Sequence, residues 1–155
     1  MMADIGERAP DVAMTTVDGG SWRPADAQGR KLVVYFYPKD DTPGCTTEAK
    51  DFSALADQFA ATDALVIGVS KDPPARHAKF AAKHELKLQL VSDTDDRVCE
   101  AWGTWIEKSL YGRKYMGIDR ATFLIGRDGQ ITQVWRKVKV KGHAEAVLEA
   151  AKALA

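Results

Sequence analysis

Leu32-Val33-Val34-Tyr35-Phe36-Tyr37 is an unbroken apolar run rich in β-formers. It has the pattern of a strand buried on both faces, as in a sheet with helices on either side. Ala64 to Ser70 reads as a second strand of this kind. Between the two, Cys45, Ala49, Phe52, Ala56 and Phe59 recur at 4-3-4-3 spacing, which marks one face of a helix. Thr42 suits the N-cap of that helix, and Pro43 suits its first position, where a missing N–H costs nothing. Asp72-Pro73 repeats this cap-plus-proline start and predicts a helix running to about His84. Leu86 to Val91 alternates apolar and polar residues as a strand does, and Asp95 to Trp102 reads as a short helix stopped by Gly103. Two hairpins are predicted, one from Val12–Thr16 through Asp18-Gly19-Gly20 to Ser21-Trp22-Arg23. The other joins Ala121–Ile125 to Ile131–Val138 around Arg127-Asp128-Gly129, and Ala144 to Leu154 forms a closing amphipathic helix. Lys137, Lys139 and Lys141, alternating with Val138 and Val140, read as the polar side of an edge strand.

Strands alternating with helices, plus a hairpin, predict an α/β fold with a mixed central sheet flanked by helices. The order and lengths fit a thioredoxin-like fold with an added N-terminal β-hairpin, as a single domain over residues 1–155. Lys plus Arg equal Asp plus Glu, so the net charge is zero and no basic excess points to a nucleic-acid partner. The segment Met1 to Pro10 has no apolar run of the kind a secretory signal needs, and the apolar runs are far too short to cross a bilayer. The expectation is a cytoplasmic protein without a membrane partner. In that compartment thiols stay reduced, so the two cysteines are each a buried filler or a reactive group.

Cys45 stands out by position. In the first turn of a helix capped at Thr42, backbone N–H groups lack helical partners and the positive end of the helix dipole lies close. Both favour the thiolate, which is the nucleophilic form of cysteine. Burial on the face of Phe52 and Phe59 works the other way, so a reactive thiol here requires a further positive group. A purely structural cysteine is the alternative. Dithiol exchange of the Cys-x-x-Cys kind is excluded by Cys45-Thr46-Thr47-Glu48. Two distant cysteines with His77, His84 and His143 give no recognisable zinc set. Asp93-x-Asp95, with Arg97 at the fifth position and no glutamate at the twelfth, does not make a calcium loop. His77 and His84 lie on a charged helix and are expected to be solvated.

The segment Tyr35 to Glu48 resembles the active-site loop of peroxiredoxins, Pro-x-x-x-Thr-x-x-Cys, with Pro38, Thr42 and Cys45 at the matching positions. Its wider wording, Pro-Gly-Cys-Thr with a following Glu, is similar to the bacterioferritin comigratory protein or peroxiredoxin Q subfamily. Gly117-Ile118-Asp119-Arg120-Ala121-Thr122-Phe123-Leu124-Ile125 is similar to the family's strand bearing an active-site arginine, and Trp135 to His143 to its C-terminal strand-to-helix junction. The resemblance implies a thiol-dependent peroxidase that reduces hydrogen peroxide and organic hydroperoxides through a sulfenic acid, in antioxidant defence, with no metal or organic cofactor. It implies Cys45 as the peroxidatic thiolate and Arg120 as its cationic neighbour and peroxide donor. Thr42 would be a hydrogen-bond partner of the peroxide as well as the cap, and Pro38 would shield the thiolate on the substrate side. A monomer or small homodimer is implied, with thioredoxin, glutaredoxin or a small thiol as reductant.

Many relatives carry a resolving cysteine five residues after the peroxidatic one, where this chain has Lys50. Others carry it in the next long helix, but Phe80-Ala81-Ala82-Lys83 has none. Only Cys99 remains. The leading expectation is a one-cysteine cycle in which an external thiol reduces the sulfenic acid and Cys99 belongs to the core. The alternative is a Cys45–Cys99 disulfide, which needs local unfolding if the two residues lie far apart.

Overall fold

The computed structural model describes residues 3–155; Met1 and Met2, which begin the segment read as lacking a signal sequence, lie outside the described residues. The chain runs through β1 (Met14–Thr16), β2 (Ser21–Trp22), a 3-10 turn at Pro24–Ala27 and β3 (Lys31–Phe36). It continues through α1 (Pro43–Ala54), α2 (Ala56–Ala61), β4 (Ala64–Ser70), α3 (Pro74–His84), β5 (Gln89–Ser92) and α4 (Arg97–Trp102). Then follow β6 (Trp105–Leu110), β7 (Arg113–Ile118), β8 (Ala121–Ile125), β9 (Ile131–Trp135) and α5 (His143–Ala153). One seven-stranded sheet has the order β2-β1-β5-β4-β3-β8-β9. β3, β4 and β5 are parallel neighbours, and the pairings β1–β2, β1–β5, β3–β8 and β8–β9 are antiparallel. This is the predicted mixed sheet with its N-terminal hairpin.

β3 shows why its sequence is apolar throughout. Leu32, Val34 and Phe36 join the core on one face with Val98, Cys99 and Trp102 of α4. Val33 and Tyr35, with Tyr37 just beyond the strand, face the other core, built from Cys45, Ala49 and Phe52 of α1, Phe59, Phe80 and the α5 residues Val147, Leu148 and Ala151. Burial of each large apolar side chain contributes about 1.5–3 kcal/mol. The sheet therefore separates Cys45 from Cys99.

Several boundaries depart from the sequence reading. The predicted helical face from Cys45 to Phe59 is interrupted at Leu55, which closes α1 and opens α2. α3 begins at Pro74 rather than at Pro73, because a residue followed by proline is forced into extended backbone and Pro73 has ψ 159°. Asp72 is released from capping; its carboxylate accepts from the Asp40 N–H at 2.8 Å and the Ser70 hydroxyl at 2.6 Å. Leu86 is taken up in closing α3: Glu85 turns left-handed and the Leu86 N–H bonds the Ala81 carbonyl at 3.0 Å, so β5 starts only at Gln89. β9 stops at Trp135, and Lys137 adopts φ 47° in the connection to α5, so the alternating lysines are not part of the edge strand.

The β6–β7 hairpin is an addition to the elements that the sequence pattern predicts. Its two-residue turn, Tyr111-Gly112, has φ of 51° and 77°, as a type I′ turn requires. Left-handed backbone costs a non-glycine residue about 1–2 kcal/mol, and Tyr111 accepts it while 96% exposed.

Candidate active site

α1 and the end of the β7–β8 connection form the site. Thr42 has the extended backbone of an N-cap, and Cys45 follows three residues on in the first turn. The expected hydroxyl cap is absent: Thr42 Oγ1 donates to the Lys39 carbonyl at 2.8 Å, which the tight Pro38–Thr42 loop brings within reach. Its lone pairs stay free to accept, and the first-turn N–H groups are not consumed by a side-chain cap. Cys45 is 1% exposed.

The positive group beside the buried Cys45 sulfur is Arg120. Its Nη2 donates to Cys45 Sγ at 3.2 Å, and its Nη1 donates to Glu48 Oε1 at 2.6 Å. Gly44 makes room for this: a Cβ there would stand 3.3 Å from Arg120 Nη2. The loop holding Arg120 is pinned on both sides. The Arg120 carbonyl accepts from Val138 N–H at 3.0 Å, Asp119 N–H donates to the Thr104 carbonyl at 2.7 Å, and the Asp119 carboxylate accepts from Lys137 N–H at 3.2 Å. Burial opposes the guanidinium charge, but Glu48 and Cys45 more than offset it, and its pKa is raised. One cation thus joins a buried sulfur and a buried carboxylate at a helix N-terminus.

Residues 5–134 match the AhpC/TSA family. The chain is 45% identical over 152 residues to peroxiredoxin Bcp of Bacillus subtilis, covering 98% of this chain and 97% of that protein. It is 52% identical over 125 residues to peroxiredoxin Bcp of Xanthomonas campestris, covering 81% and 78%.

This chain is a peroxiredoxin of the AhpC/TSA family.

The fold agrees throughout. A mutant of PrxQ from Xylella fastidiosa superposes with TM-score 0.92 at 39% identity, over 99% of this chain and 98% of that one. The bacterioferritin comigratory protein of Xanthomonas campestris, whose structure was studied for its alkyl peroxide reduction activity, gives 0.90 at 44% identity, over 97% and 98%. The chain is accordingly a thiol-dependent peroxidase with a thioredoxin-like fold.

Within this peroxiredoxin the structure brings Cys45 and Arg120 into contact and sets Thr42 at the start of the same helix. Pro38 lies in the exposed rim of the loop. Glu48 stands in the sequence motif without an assigned role; its three-residue spacing from Cys45 puts it on the same helix face. Burial raises its carboxyl to about 7, against the opposing pull of Arg120, and its Oε2 has no partner among the described residues. The buried Tyr35 phenol, stacked on Phe52 at 4.6 Å, has its pKa pushed well up by burial and then by Glu48, so it stays neutral. His143 shares a 2.7 Å hydrogen bond with the Thr122 hydroxyl and is pushed down to about 4 by burial and the nearby Arg120, so it too is neutral at pH 7.

His77 is not solvated as expected. It is fully buried and reads the other side of the active-site loop. Its Nδ1 lies 2.6 Å from Asp40 Oδ2, its Nε2 donates to the Val91 carbonyl at 2.9 Å, and Tyr37 donates to the other oxygen of Asp40 at 2.5 Å. His84 bonds Asp41 at 2.9 Å from a position near the surface. Among the described residues, the metal-ligating groups brought together are Asp40, Asp72 and His77, whose ligand atoms are engaged in these internal hydrogen bonds.

Cys99 is fully buried in α4 on the far face of the sheet. Burial, followed by the neighbouring Asp93, pushes its thiol far up, leaving it a poor nucleophile. Asp93, part of the discounted calcium pattern, instead accepts from the N–H groups of Val98 and Cys99 at 3.2 and 2.9 Å.

Proposed function

We propose that Cys45 is the peroxidatic residue, that Arg120 and Thr42 orient the peroxide, and that the cycle uses one cysteine with an external thiol as reductant. The observation that carries this reading is the Arg120 guanidinium placed 3.2 Å from Cys45 Sγ at the first turn of α1. The thiolate attacks one peroxide oxygen; the S–O bond forms as the O–O bond breaks. The attacked oxygen remains on sulfur as sulfenic acid, and the other leaves with a proton as water or an alcohol. Charge builds on the oxygens in this displacement, and the guanidinium and first-turn N–H groups are fixed donors for it. Thr42, its own proton committed to Lys39, can accept the peroxide O–H and hold the reacting oxygen in line.

The one-cysteine cycle is favoured by the location of Cys99 behind the sheet and by its raised thiol pKa. A Cys45–Cys99 disulfide needs Cα atoms within about 7 Å, and a sheet strand stands between the two cores. The two free thiols suit a reducing, cytoplasmic setting. One equivalent of peroxide followed by disulfide mapping tests the cycle. Oxidised Cys45 without an intramolecular bridge is expected; a quantitative Cys45–Cys99 disulfide would refute it.

A further inference from the structure

The hairpin that leads into Arg120 has no part in the peroxide chemistry. Large apolar side chains exposed among the described residues are Ile5, Val17, Leu110, Tyr111, Tyr115 and Met116, and the last four all belong to this hairpin. Clustering of this kind marks contact with another molecule, whereas scattered exposed apolar residues do not. Register places Leu110 opposite Arg113 and Lys108 opposite Tyr115, so these four share one side of the ribbon, whereas Met116, opposite Glu107, lies on the other. On the other side, Trp105 and Ile118 reach into the core, and Glu107 pairs with Lys114 at 3.6 Å. The Lys108 side chain is half-buried and makes no hydrogen bond or ion pair among the described residues, and burial pushes its pKa down. The Lys108 and Tyr115 side chains lie over Gly117, where a Cβ would stand 3.3 Å from Lys108 Cδ and 3.4 Å from Tyr115 Cε2, so the base of this side lies three residues along the chain from Arg120.

The charge of the ribbon is one-sided: Lys108, Arg113 and Lys114 against Glu107 alone, in a chain of zero net charge. At its tip, Tyr111 holds an aromatic ring almost wholly in solvent on strained left-handed backbone. The fold gains no packing from that ring, and asparagine would form the same turn more readily. Backbone strain retained to hold an aromatic ring in solvent points to a function outside the fold.

We propose that the Leu110–Tyr115 side of the β6–β7 hairpin, with Tyr111 at its tip, is the docking surface for a protein dithiol whose reactive cysteine is surrounded by apolar and acidic groups. The proposal rests on the external-thiol cycle above. One partner thiolate attacks the sulfenic sulfur of Cys45, an S–S bond forms, and the hydroxyl leaves with a proton as water. The partner's second thiolate then attacks its own sulfur in that mixed disulfide. Cys45 leaves as thiolate, and the partner departs oxidised to an internal disulfide. Apolar contact from Tyr111, Leu110 and Tyr115 supplies affinity, and the cations steer an acidic partner.

The test uses a bacterial thioredoxin as the protein dithiol and dithiothreitol as a small one, with the double variant Tyr111→Asn/Arg113→Glu. Asn-Gly preserves the turn, so folding is not at risk. Expected are a thioredoxin kcat/KM lowered about tenfold or more, mainly through KM, with dithiothreitol turnover and single-turnover peroxide reaction unchanged. Equal loss with both reductants, no loss with thioredoxin, or a wild type that dithiothreitol reduces but thioredoxin does not, would each overturn the proposal. Cys99→Ser, run in parallel, separates the two readings: if it stalls after one turnover with dithiothreitol, the external-thiol cycle itself fails.

Discussion

Replacing Glu48 by Gln tests the electrostatics of the site through folding stability. Glu48 is 1% exposed, and burial raises its carboxyl from 4.5 to about 7 even with Arg120 bonded to it. In the unfolded chain the group ionises near its ordinary value, whereas in the folded protein it holds its proton up to about 7. Between those pH values the folded state binds more protons, so stability falls as pH rises through the window and levels off above it. At 1.36 kcal/mol per pKa unit the loss is about 3 kcal/mol. A glutamine side chain at this position keeps an oxygen for Arg120 Nη1 and cannot ionise, so this slope disappears. The two proteins should be nearly equal in stability at pH 5, and Glu48→Gln should be the more stable at pH 8 by about 3 kcal/mol. With a urea m-value of about 1–3 kcal/mol/M, the midpoints separate by about 1–3 M. Urea unfolding at both pH values measures this directly. If the two proteins change in parallel between pH 5 and 8, Glu48 does not carry the buried charge assigned to it.

Arg120→Met removes the donor to Cys45 Sγ and should lower the second-order rate with hydrogen peroxide by about 10²–10³-fold in stopped-flow measurements. The same substitution strands Glu48 without its cation, so its stability cost should be larger at pH 8 than at pH 5. Phe52→Ala empties the contact between Tyr35 at 4.6 Å, Phe59 at 5.9 Å and His143 at 6.0 Å, and should cost about 3–5 kcal/mol in chemical denaturation.

How much of this was legible beforehand depended on whether a residue's role was local. The apolar run of β3 and the Thr42-Pro43 start of α1 are read from neighbours in sequence, and both stand in the fold as strand and helix. Cys45 was singled out by its helical position, and the structure puts the required cation beside it. Arg120 came only through family resemblance, since nothing in its spacing sets it above Arg113 or Arg136. Glu48 could have been found, because one helical turn separates it from Cys45. His77 sits among charged residues of α3 and gives no local sign that Asp40, from a loop 37 residues earlier, fills the space beside it. The β6–β7 hairpin was missed because its alternation is broken by Lys108, Arg113 and Lys114. Tyr111-Gly112 is also not one of the usual turn pairs. The Thr42 hydroxyl is expected to accept a helix N–H as a cap; instead it donates to the neighbouring Lys39 carbonyl, a contact that exists only once the loop has closed.

The central claim is that Cys45 is the oxidised residue. Wild type, Cys45→Ser and Cys99→Ser are each given one equivalent of hydrogen peroxide with dimedone present, and the adducts are located by mass spectrometry alongside turnover with dithiothreitol. The account predicts a sulfenic adduct at Cys45 in wild type and Cys99→Ser, both turning over at similar rates, and neither adduct nor turnover in Cys45→Ser. Turnover by Cys45→Ser, or an adduct formed at Cys99 in place of Cys45, would contradict it.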